Sequence, residues 1–231
     1  VVNDTFRCIG NVSGIPDYLK WSELRTKPEN VHTVKQAPAS HALRVRVRSK
    51  CAADMAAKYG YTNTDTDVFG ADVLDFEKWA ITDHSVVERI GERLGLKLTL
   101  GRVQVQRSGQ MVMPHRDDLS TSYLGEVSEI EHYYKAAITD EDRQRFAQDP
   151  QAATRVLIML EDWRIGQGFT TEHGVLANWR RGDVYAWNWP TEVHGTFNNG
   201  YWSRPLLRVS GMTTDRWHRW FSAGGQFELK Y

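Results

Sequence analysis

The chain has 231 residues, 29 Lys and Arg against 29 Asp and Glu, and 41% hydrophobic content. That length suits one domain with a single sizeable core. The balanced charge gives no electrostatic footprint for nucleic acid, and no apolar run approaches the roughly 18 residues of a membrane span. Cys8 and Cys51 allow at most one disulfide and form no CxxC pair, so neither a disulfide framework nor a structural zinc site is expected. The opening Val1-Val2-Asn3-Asp4 lacks the basic start and apolar centre of a signal peptide. A reducing, cytoplasmic setting is the expectation.

Residues 1–97 read as a mixed α/β layer. A short helix is predicted over 16–27. Residues 43–48 alternate at period two, as a half-buried strand does. A second helix is predicted over 51–59. The longest helical pattern covers 75–94 and stops at Gly95, a typical helix terminator. From Leu96 the character changes. Leu98-Thr99-Leu100 and Val103-Gln104-Val105-Gln106 read as strand, Gly109 as a turn, and Met111-Val112-Met113 as a strand leading to His115. Thr139-Asp140-Glu141-Asp142 is a capping box with Asp at its fourth position, opening a polar helix that ends near Pro150. Strands follow over 154–160, 168–179, 183–189, 193–197 and 204–212, separated by Gly166, Gly168, Gly182, Pro190 and Gly200. Many short strands with turn signals between them indicate a sandwich or barrel. The predicted fold is mainly β with flanking helices. A jelly roll (double-stranded β-helix) over 98–213 is braced by the N-terminal layer, carries an insertion at 118–153 and ends in a tail at 214–231.

Two segments carry chemistry: Pro114-His115-Arg116-Asp117 and Val193-His194-Gly195, with Arg204 downstream. On a strand, residues i and i+2 share a face, so His115 and Asp117 are presented together and Arg116 turns away. His194 lies 194 − 115 = 79 residues later, enough chain to cross several strands and return. Two imidazoles and one carboxylate are the facial ligand set of non-haem Fe(II). Of the remaining histidines (His32, His41, His84, His132, His173 and His218) none shows a paired spacing. His173, in Thr171-Glu172-His173, is the nearest competitor.

The HxD…H pattern with a following arginine resembles the cupin-type Fe(II)/2-oxoglutarate dioxygenases, over roughly residues 98–213. Residues 109–117 resemble that family's turn, strand and ligand entry. Residues 179–187, with Gly182-Asp183, resemble the turn and strand before the distal histidine. Residues 204–210 resemble the final strand. The flavour is that of the aspartyl/asparaginyl and prolyl hydroxylase-like branches, including phage-encoded members. Residues 1–97 match nothing in it. The resemblance implies Fe(II) on His115, Asp117 and His194, with 2-oxoglutarate and O2 as co-substrates. It implies hydroxylation of an amino acid, peptide side chain or small metabolite, with release of succinate and CO2. Asp117 argues against halogenation, since halogenating relatives lack the carboxylate; desaturation and ring closure stay open.

The far carboxylate of 2-oxoglutarate needs a buried cation, and arginine's planar fork suits it. Arg204 has the spacing from the distal histidine seen in hydroxylase-like branches. Arg208 with Ser210 resembles the Arg-x-Ser anchor of other branches. Arg204, Leu206 and Arg208 share a strand face, so Arg208 also suits an anionic group on the substrate. One of the two arginines at a sheet edge is the bland alternative, and Pro205 suits an edge or a strand start.

Substrate signals are weaker. Trp179, Trp187, Trp189 and Trp202 line a pocket or fill the core. Arg44, Arg46 and Arg48 form a solvated edge stripe or meet an anion. The insertion, with Tyr123, Glu126, Glu129, Tyr133 and Tyr134, is placed as a lid or a brace. A small-molecule or peptide substrate is expected, with neither membrane nor nucleic acid as partner. Alternatives are a catalytically silent cupin-like binding protein, a metal-dependent isomerase or hydrolase, and an oxygenase acting on a modified nucleic-acid base.

Overall fold

The computed structural model describes residues 6–15, 31–32, 77–80, 85–117, 138–149 and 151–230. The predicted elements at 16–27, 43–48 and 51–59 lie outside them, as do Cys51, the arginine stripe and the five named Tyr and Glu of the insertion.

The described chain is mainly β, with two sheets and three helices. The strands are β1 (Arg7–Ser13), β2 (Val31–His32), β3 (Glu77–Ala80), β4 (Lys97–Gln106), β5 (Gln110–His115), β6 (Ala153–Met159), β7 (Gln167–Thr171), β8 (Gly174–Leu176), β9 (Asp183–Ala186), β10 (His194–Asn198), β11 (Arg204–Met212) and β12 (Phe227–Lys230). The helices are α1 (Ser85–Leu94), α2 (Asp140–Gln148) and α3 (Asp215–Ser222). The large sheet runs β12-β1-β9-β6-β11-β4-β3-β2, and the small one β5-β10-β7-β8. Among the described residues no helix is long and apolar enough to cross a membrane.

Period-two alternation divides the large sheet's side chains between two cores. One face gives Val103, Val105, Val156, Ile158, Val184, Leu207 and Val209 to a core covered by Val87 and Ile90 of α1 and Trp217 of α3. The other gives Leu100, Leu157, Met159, Tyr185 and Leu206 to a second core, capped by Phe169 of the small sheet and by Trp179, Trp187 and Trp189. The residues with chemical potential lie on this second, inner side.

Local signals explain several element ends. Gly95, at φ 75°, closes α1. Its N–H reaches Glu92 O at 3.2 Å while Leu96 N–H reaches Gly91 O at 2.8 Å, the two bonds of a Schellman motif. Thr139 and Asp142 form the reciprocal capping box of α2. Gly182, at φ 89°, makes the turn into β9. A Cβ there would lie 2.4 Å from Val12 O, so the close strand crossing requires glycine.

Four predicted boundaries change. The helix expected over 75–94 is strand β3 followed by helix α1. The first part pairs antiparallel with β4 and β2, and sheet pairing overrides its helical propensity. Strands expected at 98–100 and 103–106 are one, β4. The strand expected over 168–179 folds back at Thr171 to Gly174 as the hairpin β7-β8. Residues 214–231 hold α3 and β12, and β12 pairs parallel with β1 at the sheet margin.

A candidate metal centre between the two sheets

His115 ends β5, and His194 begins β10. The two strands pair antiparallel, and these residues are direct partners in the register. The register slips by one between His194 and Thr196. The cause is local. Pro114 has no N–H for the ladder, and an extra residue bulges and re-aims the next side chain. Gly195 makes room, since a Cβ there would meet Val112 O at 2.8 Å and Thr170 Oγ1 at 2.9 Å. The bulge turns His115 towards His194, with ring centroids 4.5 Å apart.

Asp117 lies two residues past the end of β5 and points inward. Its Oδ1 is 3.4 Å from His115 Nε2, and its Oδ2 is 3.6 Å from His194 Nε2. Ligand atoms of His115, Asp117 and His194 all fall within 4.8 Å of one another. Between them Arg116 turns outward, as alternation predicts, donating to Thr191 O at 3.0 Å and pairing with Glu172 at 3.4 Å. His173 pairs with Glu192 at 3.7 Å and takes no part in the cluster.

The electrostatics suit a divalent cation. Burial alone would raise the Asp117 carboxyl, but the Arg155 guanidinium and the hydrogen bonds from His115 and His194 hold it well below the usual carboxylate range. It is therefore ionised. Burial lowers the His194 imidazole despite the opposing pull of Asp117, which favours the neutral ring that a metal requires. His194 Nδ1 faces two groups: the indole N–H of Trp187 at 3.3 Å and the carbonyl of Glu192 at 3.1 Å. They demand opposite tautomers. When Nε2 serves a metal, Nδ1 carries the proton and donates to Glu192, the usual orienting bond of a ligating histidine.

Arg204 opens β11. Because β11 sits fifth of eight strands in the large sheet, neither Arg204 nor Arg208 is an edge residue, and both are buried. The edge reading fails for that reason, and Pro205 sits at a strand start. The Arg204 guanidinium lies 4.3 Å from the centroid of Phe169 and 6.0 Å from that of Trp179. Its Nε donates to Gln106 Oε1 at 3.1 Å, and Nη2 donates to the same oxygen. Gln106 Nε2 in turn donates to Thr196 Oγ1 at 2.8 Å, two residues from His194. Nη1 is buried with no hydrogen-bond partner among the described residues. Burial brings this guanidinium down to about 9, still a cation at neutral pH. A desolvated cation with one orphaned donor calls for an anion. That fits a carboxylate bound on the inner face of the large sheet.

Arg208 lies on the same inner face, opposite Arg102 of β4. Ser210 accepts a hydrogen bond from Arg155 Nε at 3.2 Å. Trp187 and Trp189 lie 3.6 Å apart at the centroids, tilted by 31°, and both touch His194 edge-on, at 4.9 Å. Trp202 is 58% exposed, under Arg164. The sequence reading missed Arg155 and Gln106. Arg155 was signalled by a charge beside the apolar run Val156 to Met159; Gln106, in the alternating Val-Gln-Val-Gln of β4, carried no such signal.

No protein-family model matches the chain, and no curated protein matches it. Similar solved structures include a prolyl-4-hydroxylase of Pseudomonas putida, at 11% identity and TM-score 0.39, covering 74% of this chain and 88% of that one. The non-heme alpha ketoglutarate dependent epimerase SnoN from nogalamycin biosynthesis shares 11% identity at TM-score 0.38, over 77% and 82% of the two chains. A sugar phosphate isomerase from a cupin superfamily, of Silicibacter pomeroyi DSS-3, shares 10% identity at TM-score 0.34, over 60% of each chain. Likenesses at this level decide neither fold family nor activity.

Proposed function

We propose that the chain is an Fe(II)- and 2-oxoglutarate-dependent oxygenase, built on a double-stranded β-helix, that hydroxylates an unactivated C–H bond of an amino acid, a peptide side chain or a small metabolite. His115, Asp117 and His194 hold the metal, and Arg204 receives the far carboxylate of 2-oxoglutarate. The observation that carries this reading is the orphaned Nη1 of Arg204, on the inner face of the large sheet and linked through Gln106 to Thr196, two residues from His194 of the His–Asp–His donor set. A hydrolase or isomerase using only the metal has no need of such a cation.

Bound Fe(II) and 2-oxoglutarate supply the oxidising chemistry, coupling O2 reduction to decarboxylation and substrate hydroxylation. The residues of this chain bind, orient and keep out water. Asp117 contributes the single negative charge of the ligand set. Glu192 O fixes the ring of His194 through Nδ1. Gln106 holds two donors of Arg204, which leaves Nη1 for the carboxylate. Trp187 and Trp189 wall the distal histidine with apolar surface. Arg208, buried four residues along the same face, is the candidate for an anionic group on the substrate.

The test is an anaerobic titration with Fe(II), then 2-oxoglutarate, following the visible metal-to-ligand charge-transfer absorption. Wild-type protein should develop the band, and His194→Ala should not. A folded, iron-loaded wild-type protein that shows no band refutes the oxygenase reading.

A further inference from the structure

Arg155 is a cation in the middle of an entirely buried strand, β6. Its neighbours Val156 and Ile158 belong to the outer core, so Arg155 shares the inner face with Leu157 and Met159. Three of its hydrogen bonds hold it among the described residues. Its carbonyl accepts from Trp189 Nε1 at 2.7 Å. Its Nε donates to Ser210 Oγ at 3.2 Å, on the residue paired with it across the strands. Its Nη1 donates to Asp117 Oδ2 at 2.9 Å. The guanidinium carbon also lies 5.7 Å from the centroid of Trp189. The Arg155 bond is the shortest polar contact among those described for Asp117, and it engages Oδ2.

We infer that Arg155 is a positioning residue that makes Asp117 a one-oxygen ligand. A carboxylate can grip a divalent cation through one oxygen or both. Both oxygens border the imidazoles, Oδ1 at 3.4 Å from His115 Nε2 and Oδ2 at 3.6 Å from His194 Nε2, but Oδ2 has its nearer, charge-assisted bond to Arg155, which leaves Oδ1 as the oxygen for the metal. Two imidazole nitrogens and one oxygen leave three of six positions open. A two-oxygen grip leaves two, which a chelating co-substrate alone would fill. Ser210 and Trp189 hold Arg155 in this position. The first, on β11, supplies the oxygen that aims Nε; the second, in the loop after β9, supplies the indole that pins the backbone. A second cation beside the metal also weakens metal binding, which is a cost that a merely structural ion pair would not need to place there. The sequence reading gave Ser210 to the co-substrate; here it acts on Asp117 through Arg155.

The inference rests on the metal-centre reading of His115, Asp117 and His194, but not on any turnover. The experiment therefore uses Co(II) without O2 chemistry. Co(II) affinity and its visible d–d spectrum are measured for wild type, Arg155→Met, Arg155→Lys and Ser210→Ala, then 2-oxoglutarate affinity for each Co(II)-loaded protein. Circular dichroism checks the fold. Arg155→Met should bind Co(II) at least as tightly as wild type, with an altered d–d spectrum before 2-oxoglutarate is added. Its 2-oxoglutarate affinity should fall by about tenfold or more, comparable to the activity lost when partners of metal ligands are removed. Arg155→Lys and Ser210→Ala should move the spectrum the same way, by less. An unchanged spectrum in folded Arg155→Met overturns the inference, and so does loss of Co(II) binding in a folded variant, which would make Arg155 a support for binding itself. If Arg155→Met does not fold, an unchanged spectrum in Arg155→Lys and Ser210→Ala overturns it. Failure of wild-type protein to bind Co(II) overturns the metal centre and this inference together. Intact Co(II) effects without a 2-oxoglutarate response leave the inference standing and refute the oxygenase reading instead.

Discussion

On β11, Leu207 and Val209 face one way, and Arg204, Arg208 and Ser210 face the other. On β6, Val156 and Ile158 oppose Arg155. The same strands thus build two cores with different contents. The outer core, against α1 and α3, is made of aliphatic and aromatic side chains. The inner one mixes Leu100, Leu157 and Leu206 with buried Arg102, Arg155, Arg204, Arg208, Gln106 and His194. Burying a cation is expensive unless something pairs with it, and an apolar inner core would fold at lower cost. The outer face therefore holds the strands in place, and the inner face spends some of that stability on a charged interior.

A first way to break this comparison is Ile158→Ala. Ile158 is fully buried on the outer face, and truncating such a side chain costs about 2–5 kcal/mol. Urea unfolding should show that loss, while Fe(II) affinity of the folded protein stays at the wild-type value. A metal affinity that fell with stability would mean the two cores are not separable. The converse is Arg204→Met. Truncating one partner of a buried charge pair costs about 2–5 kcal/mol of binding, so 2-oxoglutarate should bind at least about thirtyfold more weakly. Stability in the absence of ligand should fall by no more than about 1–3 kcal/mol, the cost of leaving Gln106 Oε1 without its Arg204 donors, part of which is offset by removing an incompletely paired buried cation. Unfolding of Arg204→Met would turn the inner arginine into a structural element and remove the distinction.

How much of this was legible in the sequence follows from range. The His115-Arg116-Asp117 triplet is local, and strand alternation alone turned His115 and Asp117 to one side. The cap at Thr139, the stop at Gly95 and the turn at Gly182 are equally local, and each has its geometry in the structure. His194 was readable only as a second histidine at a distance. The partner in register that brings it opposite His115 depends on the Pro114 bulge and on the space at Gly195, which no periodicity reveals. The same holds for Arg155. Its strand was plain, but its reach to Asp117 requires knowing that β6 and β11 are neighbours and that β5 lies across from them. Residues 77–80 went wrong for a related reason: four residues with helical composition became strand because β4 offered them an edge.

The finest test of the two-sided picture is Trp187→Phe. Trp187 is buried, packs against Trp189 and lies 4.5 Å from Phe6 between ring centroids. It therefore belongs to the packing of the inner core and also touches the metal ligand. Its indole N–H faces His194 Nδ1 at 3.3 Å, a bond that exists only when Nδ1 is unprotonated and Nε2 carries the proton. That tautomer cannot coordinate through Nε2. Metal binding moves the proton to Nδ1, where Glu192 O accepts it, and the indole bond is lost in the bound state. Phenylalanine keeps an aromatic ring but removes the donor and part of the indole's volume, which leaves a cavity at this buried site. Trp187→Phe should thus cost the apo-protein about 1 kcal/mol for the lost hydrogen bond and about 1 kcal/mol or more for the cavity, while Fe(II) affinity stays within about twofold of wild type or improves. The usual penalty for losing a true partner of a metal ligand is about 10–100-fold. A loss of that size on Trp187→Phe would place the indole N–H in the working metal site, with Glu192 no longer the group that orients His194.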